Sequence, residues 1–257
     1  MFLLVFHKER KGVSLLVILL IAIGVTLIIV ASAIILLGEW QPTNIVGSGN
    51  LVTQQKDFSG FSAIQVSSGF KVEISKSSFY SISITADDNI IDYIQVSKTG
   101  KTLHLGLQMG SYQSTTLQVE IGLPELNSLE LSGGTSGTAE GFSSFEPFVV
   151  ELSGASKLEM QDINVGDFEV ELSGASRLTA EGSGNDLLSI VSGASNLDLT
   201  NFPIINSDLS ISGASQATVN LDGTLDATVS GASSLYYIGE PTMGNIEISD
   251  TSTINKK

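Results

Sequence analysis

The chain has 257 residues, of which 42% are hydrophobic and 15% charged, and its formal net charge is −15 at pH 7. This apolar content excludes a disordered chain, and the excess of acidic residues excludes nucleic acid as a partner, because phosphate contacts need Lys and Arg. Because the sequence contains no cysteine, disulfides, thiolate zinc sites and a cysteine nucleophile are also excluded.

An uncharged apolar stretch begins at Val13 and ends at Leu37. As a helix this stretch would span roughly 37 Å, which is enough to cross a hydrocarbon core of about 30 Å. The first three basic residues of the chain precede it, and the next one is Lys56. Because basic residues remain on the cytoplasmic side, we predict a cytoplasmic N-terminus (1–12), a single transmembrane helix (13–37), a linker (38–46) and an extracytoplasmic domain (47–257).

A cleaved signal peptide is the alternative, because Ala31-Ser32-Ala33 fits the small-x-small pattern of a cleavage site after Ala33. The apolar run before this site is longer than the usual 7–15 residues of a signal peptide. The run also continues beyond the site to Leu37. A retained membrane anchor is therefore favoured, and both interpretations carry the rest of the chain out of the cytoplasm.

Residues 50–125 are rich in short alternating segments but show no fixed period. A short helical turn is predicted after Asp87-Asp88-Asn89, because aspartate is favoured in the first turn of a helix. Alternation of apolar and polar residues predicts half-buried strands. The predicted strands are 62–66, 70–74, 80–85, 94–96, 102–107 and 117–121.

The phrase Leu152-Ser153-Gly154-Ala155-Ser156 recurs with small changes from residues 172, 191, 211 and 229, and degenerate copies begin at residues 131 and 248. The copies are 18 to 21 residues apart, and each lies between two alternating segments. A period near 20 with β character predicts an all-β fold, a single-stranded parallel β-helix in which each turn stacks on the one before. A right-handed coil is favoured because the hexapeptide period typical of left-handed coils is absent. Residues 50–125 are then either the first turns of this solenoid, elaborated by insertions, or a small β cap.

Stacking places equivalent residues of successive turns in columns, so two inward ladders are predicted. One comprises Leu152, Leu172, Val191, Ile211, Val229 and Ile248, and the other Leu158, Leu178, Leu197, Ala217, Leu235 and Ile254. The Ser-Gly-Ala-Ser phrase is predicted to form the corner between them, where small side chains and a glycine with positive φ are needed.

The repeated serines are not expected to be nucleophiles, because a serine needs an activating base. His7 lies on the predicted cytoplasmic side, and His104 is expected to be a surface strand residue. Lys157 and Arg177 should lie side by side one turn apart and contact a neighbouring acid, Glu159, Asp162 or Glu181, rather than form a site. Glu169 and Glu171 should share one strand face, but no calcium-loop spacing is present. We therefore predict no catalytic residue, cofactor or metal site.

The motifs at residues 47–50 (Gly-Ser-Gly-Asn), 58–61 (Phe-Ser-Gly-Phe), 86–89 (Ala-Asp-Asp-Asn) and 123–126 (Leu-Pro-Glu-Leu), followed by the serial Ser-Gly-Ala-Ser phrases, resemble the head GIN domain family of auto-transporter adhesins. The resemblance covers residues 46–255. It implies a parallel β-helix and a role in adhesion, and it brings no functional residues with it.

The expected function is a non-enzymatic adhesin or cell-envelope interaction module, anchored in the membrane through residues 13–37. After residue 37, nine basic residues stand against 26 acidic ones, a net charge of −17 that suits cationic partners, divalent ions or solubility. The expected partner is envelope polysaccharide or a surface protein. A structural or stress-linked envelope protein without a ligand and a carbohydrate-active β-helix enzyme are the alternatives.

Overall fold

The computed structural model describes residues 44–257. The predicted cytoplasmic segment, the transmembrane helix, the cleavage site after Ala33 and most of the linker lie outside the described residues. Within residues 44–257, none of the helical structure has the length and apolar character that crossing a bilayer requires. Residues 45–257 form one compact unit.

Short strands account for most of the described chain, joined by tight corners. Between β5 and β6 lies a 3₁₀ turn at Ile91–Tyr93. The 23 strands in residues 44–257 are β1 (Asn44–Val46), β2 (Leu51–Gln55), β3 (Ala63–Val66), β4 (Lys71–Lys76), β5 (Ser81–Asp87), β6 (Ile94–Thr99), β7 (Thr102–Leu107), β8 (Ser111–Gln113), β9 (Leu117–Leu123), β10 (Ser128–Leu131), β11 (Ser136–Glu140), β12 (Phe148–Leu152), β13 (Lys157–Asn164), β14 (Phe168–Leu172), β15 (Arg177–Ser183), β16 (Asp186–Val191), β17 (Asn196–Ile204), β18 (Asn206–Ile211), β19 (Gln216–Leu221), β20 (Thr224–Val229), β21 (Ser234–Ile238), β22 (Thr242–Ile248) and β23 (Thr253–Lys256).

Two long sheets form the walls of a parallel β-solenoid, which confirms the predicted all-β solenoid. The first sheet has the order β22-β20-β18-β16-β14-β12-β10-β3-β7-β6. The second has the order β2-β5-β9-β4-β11-β13-β15-β17-β19-β21-β23. From β10 onward each turn contributes one strand to each sheet, and every such strand pairs in parallel with its equivalents in the adjacent turns.

The strand registers confirm both predicted ladders of inward side chains. In the first sheet Leu152 pairs with Leu172, Leu172 with Val191, and so on to Ile248. In the second sheet the same relation runs from Leu158 to Ile254. All of these side chains are buried until the last turn, where Ile248 is 52% exposed. Burial of one such side chain contributes about 1.5–3 kcal/mol, so each turn depends on its neighbours to cover its ladder residues.

The Ser-Gly-Ala-Ser corners are stacked as closely as their backbones allow. The glycines of the five full copies have φ between +73° and +79°. A Cβ on Gly193 would lie 2.4 Å from the carbonyl oxygen of Gly174, one turn earlier. The alanine that follows each stacked glycine donates its N–H to that same carbonyl, as Ala194 does to Gly174 at 2.7 Å. The predicted corner role of the phrase is confirmed.

Both interpretations of residues 50–125 are partly correct. Strands β3, β4, β7 and β9 are rungs of the solenoid, because they pair in parallel with their neighbours in the stack. Strands β2, β5 and β6 are antiparallel additions that cover the N-terminal end of the two sheets. All six predicted strands are present, the helical turn is the 3₁₀ turn, and β1, β2 and β8 were not predicted.

Gly193→Ala should destabilise the protein more than Gly134→Ala. Gly134 also has a positive φ (+80°), but no atom lies within 4 Å of the position of its Cβ, so its substitution adds only backbone strain of about 1–2 kcal/mol. At Gly193 the new Cβ must also displace the backbone of the preceding turn. The measurement is the free energy of unfolding in urea, and equal losses for the two variants would contradict the packing of the corner.

Candidate interaction surface

The carboxylate of Asp87 holds the N-terminal cap together. Asp87 ends β5, and only 1% of the residue is exposed. Its Oδ2 accepts the N–H of Thr116 and its Oδ1 accepts the N–H of Gly49, each at 2.7 Å. These bonds to the backbone of Thr116 and Gly49 hold the pKa of Asp87 below its usual value, because they stabilise the ionised form. Asp87 is therefore a structural clamp between three separate segments.

The Gly-Ser-Gly-Asn and Ala-Asp-Asp-Asn motifs meet at this clamp. Asn89 accepts the N–H of Ser48 at 3.0 Å and donates its amide to the carbonyl of Val46 at 2.8 Å. A Cβ on Gly47 would lie 2.8 Å from the Asp87 carboxylate. These residue types therefore serve the fold of the cap.

His104 is a surface strand residue, as predicted. Its Nδ1 lies 2.6 Å from Oε1 of Gln65, and the Gln65 amide donates to Glu130 at 2.8 Å. Because Gln65 uses its nitrogen toward Glu130, its oxygen is the acceptor and Nδ1 of His104 carries the hydrogen. The hydrogen-bond partner of His104 is thus the side chain of Gln65, on the adjacent strand β3.

Lys157 and Arg177 lie side by side in register, as expected. The expected contacts with Glu159, Asp162 and Glu181 are wrong, because within residues 44–257 neither cation has an ion-pair partner. Asp162 and Glu181 instead accept hydrogen bonds from Asn164 and Asn201. An exposed ion pair contributes at most about 1 kcal/mol, so little free energy favours those contacts.

The outward surface of the first sheet from β10 to β22 carries acidic side chains and no basic ones, and we call it the acidic face. None of its seven strands contains lysine or arginine. Glu169 and Glu171 lie on it together, as predicted, and both are exposed. The outward acidic side chains of these strands are Glu130, Glu151, Glu169, Glu171, Asp186, Asp208, Asp226 and Glu247.

Three of these glutamates form one column across adjacent strands. Glu130 pairs with Glu151, and Glu151 with Glu171, so their Cα atoms are about 4.8 Å apart at each step. Desolvation raises the pKa of Glu151 above its usual value, and the negative charges of Glu130 and Glu171 raise it further. The three carboxylates of this column therefore repel one another. Within the described part of the chain, no group of three or more His, Asp or Glu side chains is placed to hold a metal ion.

An aliphatic pair interrupts the acidic face on β16. Leu188 and Ile190 both point outward and are 50% and 48% exposed. Leu188 lies in register between Glu169 and Asp208, where a shallow depression of about 290 Å³ runs over to Asp226. The pair was not predicted from the sequence, although Leu187-Leu188 and Ile190-Val191 interrupt the apolar–polar alternation of β16, much as Val149 does on β12.

The outward surface of the second sheet differs in charge. It mixes the cations Lys157 and Arg177 with carboxylates such as Glu159. Nearer the cap, Gly122 leaves a polar notch of about 370 Å³, lined mainly by hydroxyls and carboxylates. This surface therefore has no single sign of charge and offers matched positions for control substitutions.

Asp87→Asn should lower stability most at neutral pH. Because the pKa of Asp87 is lowered on folding, its ionised carboxylate stabilises the protein above the unfolded pKa of about 3.9. That contribution is lost as the pH falls through the lower, folded pKa. The melting temperatures of the wild type and the variant should therefore begin to converge below about pH 4 and meet once the pH lies below the folded pKa. The exposed Asp92→Asn is the control, and a wild-type–variant difference that does not change with pH would contradict the clamp.

Comparison with solved structures finds the same solenoid fold in proteins of low sequence identity. No curated protein matches the sequence. A "putative adhesin" from Bacteroides fragilis has a TM-score of 0.79 and 22% identity, covering 83% of this chain and all of that one. A "putative lipid binding protein" from Parabacteroides distasonis has a TM-score of 0.70 and 19% identity, over 84% of this chain and all of that one. A "putative adhesin" from the same organism has a TM-score of 0.63 and 15% identity, over 83% and 100%.

At these identities the structures establish the shared fold. The family itself is established by the sequence, because the model of the family described as "Putative auto-transporter adhesin, head GIN domain" matches residues 60–241. This match spans more than half of the chain, and the protein therefore belongs to the head GIN domain family.

Proposed function

We propose that this protein is an adhesion module of the cell envelope, which binds its partner through an outward sheet face and catalyses no reaction. The acidic face is the observation that carries the proposal. It combines seven strands without a basic residue and an exposed aliphatic pair at Leu188 and Ile190. Exposed apolar side chains within a charged rim are typical of interaction sites. Membership of an adhesin family supports the same conclusion.

The proposal includes a membrane anchor and a defined orientation. Residues 13–37 would hold the protein in the membrane with residues 1–12 in the cytoplasm, and the solenoid would stand outside as a right-handed coil of one chain. The support is the charge distribution, because basic residues cluster before the apolar stretch and acidic residues dominate after it. An acidic solenoid outside the cell would meet envelope polysaccharide or the surfaces of other proteins.

We expect saturable binding of the detergent-solubilised full chain to one envelope fraction. The fractions are whole cells, peptidoglycan, purified polysaccharide and extracted surface protein, each tested with and without Ca²⁺. Bovine albumin, which has a similar acidic character, controls for non-specific adsorption. If the folded protein bound none of them, a structural envelope protein without a ligand would replace our proposal. Release of new reducing ends from the polysaccharide would indicate an enzyme instead.

The anchor predicts that the full-length chain remains in the membrane after extraction with alkaline carbonate. Protease added to intact cells should remove the solenoid and leave a short membrane fragment. Ala33→Leu, which removes the small residue before the alternative cleavage site, should then change nothing. If instead the wild type released a shorter chain into the medium, and the Ala33→Leu variant stayed on the cell, the N-terminal segment would be a cleaved signal peptide.

A further inference from the structure

Strand β16 departs from the pattern of the solenoid in two ways: apolar side chains point outward, and a polar side chain points inward. Leu188 and Ile190 point into solvent, whereas Ser189 between them points into the core and is 1% exposed. The hydroxyl of Ser189 has no hydrogen-bond partner within the described residues. A buried hydroxyl without a partner and two exposed aliphatic side chains both oppose folding. Such a local conflict with the fold is typical of a position kept for function.

Folding alone does not require Leu188 and Ile190 to be apolar. The register of β16 is fixed by Leu187 and Val191, which are buried in the inward columns. A shift by one residue would expose both of them, so the outward positions remain outward whatever residue they carry. The equivalent outward positions on β14 and β18 carry Glu169, Glu171, Asp208 and Ser210. Polar residues are therefore accepted at these positions, and the aliphatic pair needs another explanation.

The surroundings of the pair select the chemistry of its partner. Carboxylates lie beside Leu188 on both adjacent strands, and no lysine or arginine of the same strands offsets them. The same face of a second copy would be repelled, as would an anionic lipid surface or nucleic acid. Sugar rings stack on aromatic side chains, and the outward positions of β10 to β22 carry none. A partner with both basic and apolar side chains satisfies the carboxylates and covers the aliphatic pair.

We propose that the acidic face docks a cationic, amphipathic protein segment, whose apolar side chains cover Leu188 and Ile190 while its lysines or arginines pair with the flanking carboxylates. This inference rests on the proposed adhesion function and names the class of partner. Binding relieves the repulsion within the Glu130–Glu151–Glu171 column, because cations then lie between like charges. It also removes the exposed aliphatic surface from water.

The experiment uses the full chain in non-ionic detergent and a fluorescent peptide of alternating lysine and leucine. Reference peptides replace leucine by serine or lysine by glutamate, so that they test the apolar and the cationic component separately. Fluorescence anisotropy should show saturable binding of the lysine–leucine peptide, weaker binding of the lysine–serine peptide and none of the glutamate–leucine peptide. The Kd of the first should rise with salt, because the attraction is partly between exposed charges.

Variants on the two sheets identify the surface that binds. Leu188→Ser combined with Ile190→Thr should raise the Kd at least about tenfold, as expected for the centre of an interface. Glu169→Gln combined with Glu171→Gln should raise the Kd and weaken its salt dependence. Glu159→Gln, on the second sheet, and Phe145→Ser, which removes a fully exposed aromatic side chain in another loop, should leave the Kd unchanged. All four sets of substitutions change exposed side chains, and melting temperatures equal to that of the wild type verify that each variant is folded.

Two results would overturn the docking face. One is an unchanged Kd for the Leu188→Ser, Ile190→Thr variant, and the other is an equal loss of affinity in Glu159→Gln or Phe145→Ser. The same variants applied to the envelope fractions separate the two proposals. If wild type and Leu188→Ser, Ile190→Thr bind a fraction equally, the adhesion function stands and the docking face is wrong. If Leu188→Ser, Ile190→Thr loses binding to extracted surface protein while Glu159→Gln and Phe145→Ser keep it, both proposals are supported.

Discussion

The structure depends on one constraint: each turn pairs in register with the turn before it, so every residue position is repeated about 4.8 Å further along the solenoid. Inside, this repetition stacks leucine on leucine, as at Leu152 and Leu172, and gives each turn a surface to bury against. At the corners it brings glycine against glycine, and no Cβ fits between Gly174 and Gly193. The recurrent phrase is thus a consequence of stacking between full turns, and the glycine is replaced only at the last corner, where Asp250 adopts a positive φ and Thr251 still donates its N–H to Gly231.

The same repetition acts on the outward side chains, where it brings like charges together. Glu130, Glu151 and Glu171 occupy one column, and the pKa of Glu151 is raised first by desolvation and further by the charges of its two neighbours. Solvent screening makes such columns tolerable on the outside, whereas the inward columns must stay apolar. A solenoid can therefore change a whole face without changing its core. The aliphatic pair at Leu188 and Ile190 on β16 is such a change, and the half-buried Val149 on β12 is a smaller one.

Much of the fold was predictable from the sequence because aligning the copies of the repeat shows which residues of successive turns pair. Once the copies are aligned, residues 20 apart such as Leu152 and Leu172 must pair, and no other long-range information is needed. The cap lacks such a repeat, so the clamp of Asp87 on Thr116 and Gly49 was not predictable: its partners are backbone N–H groups far away in the chain. The ion pairs expected of Lys157 and Arg177 failed because proximity in sequence does not outweigh solvation.

A rigid face suits adhesion for a thermodynamic reason. Side chains that are already held in columns by a packed core lose little further freedom on binding, so more of the interaction free energy remains as affinity. The ladders keep β16 fixed between β14 and β18, and Leu188 and Ile190 therefore present a preorganised surface. A partner that approaches an acidic face is also drawn by charge before the apolar contact forms. In this way the interior sets the geometry of the solenoid, and a few outward residues select what it binds.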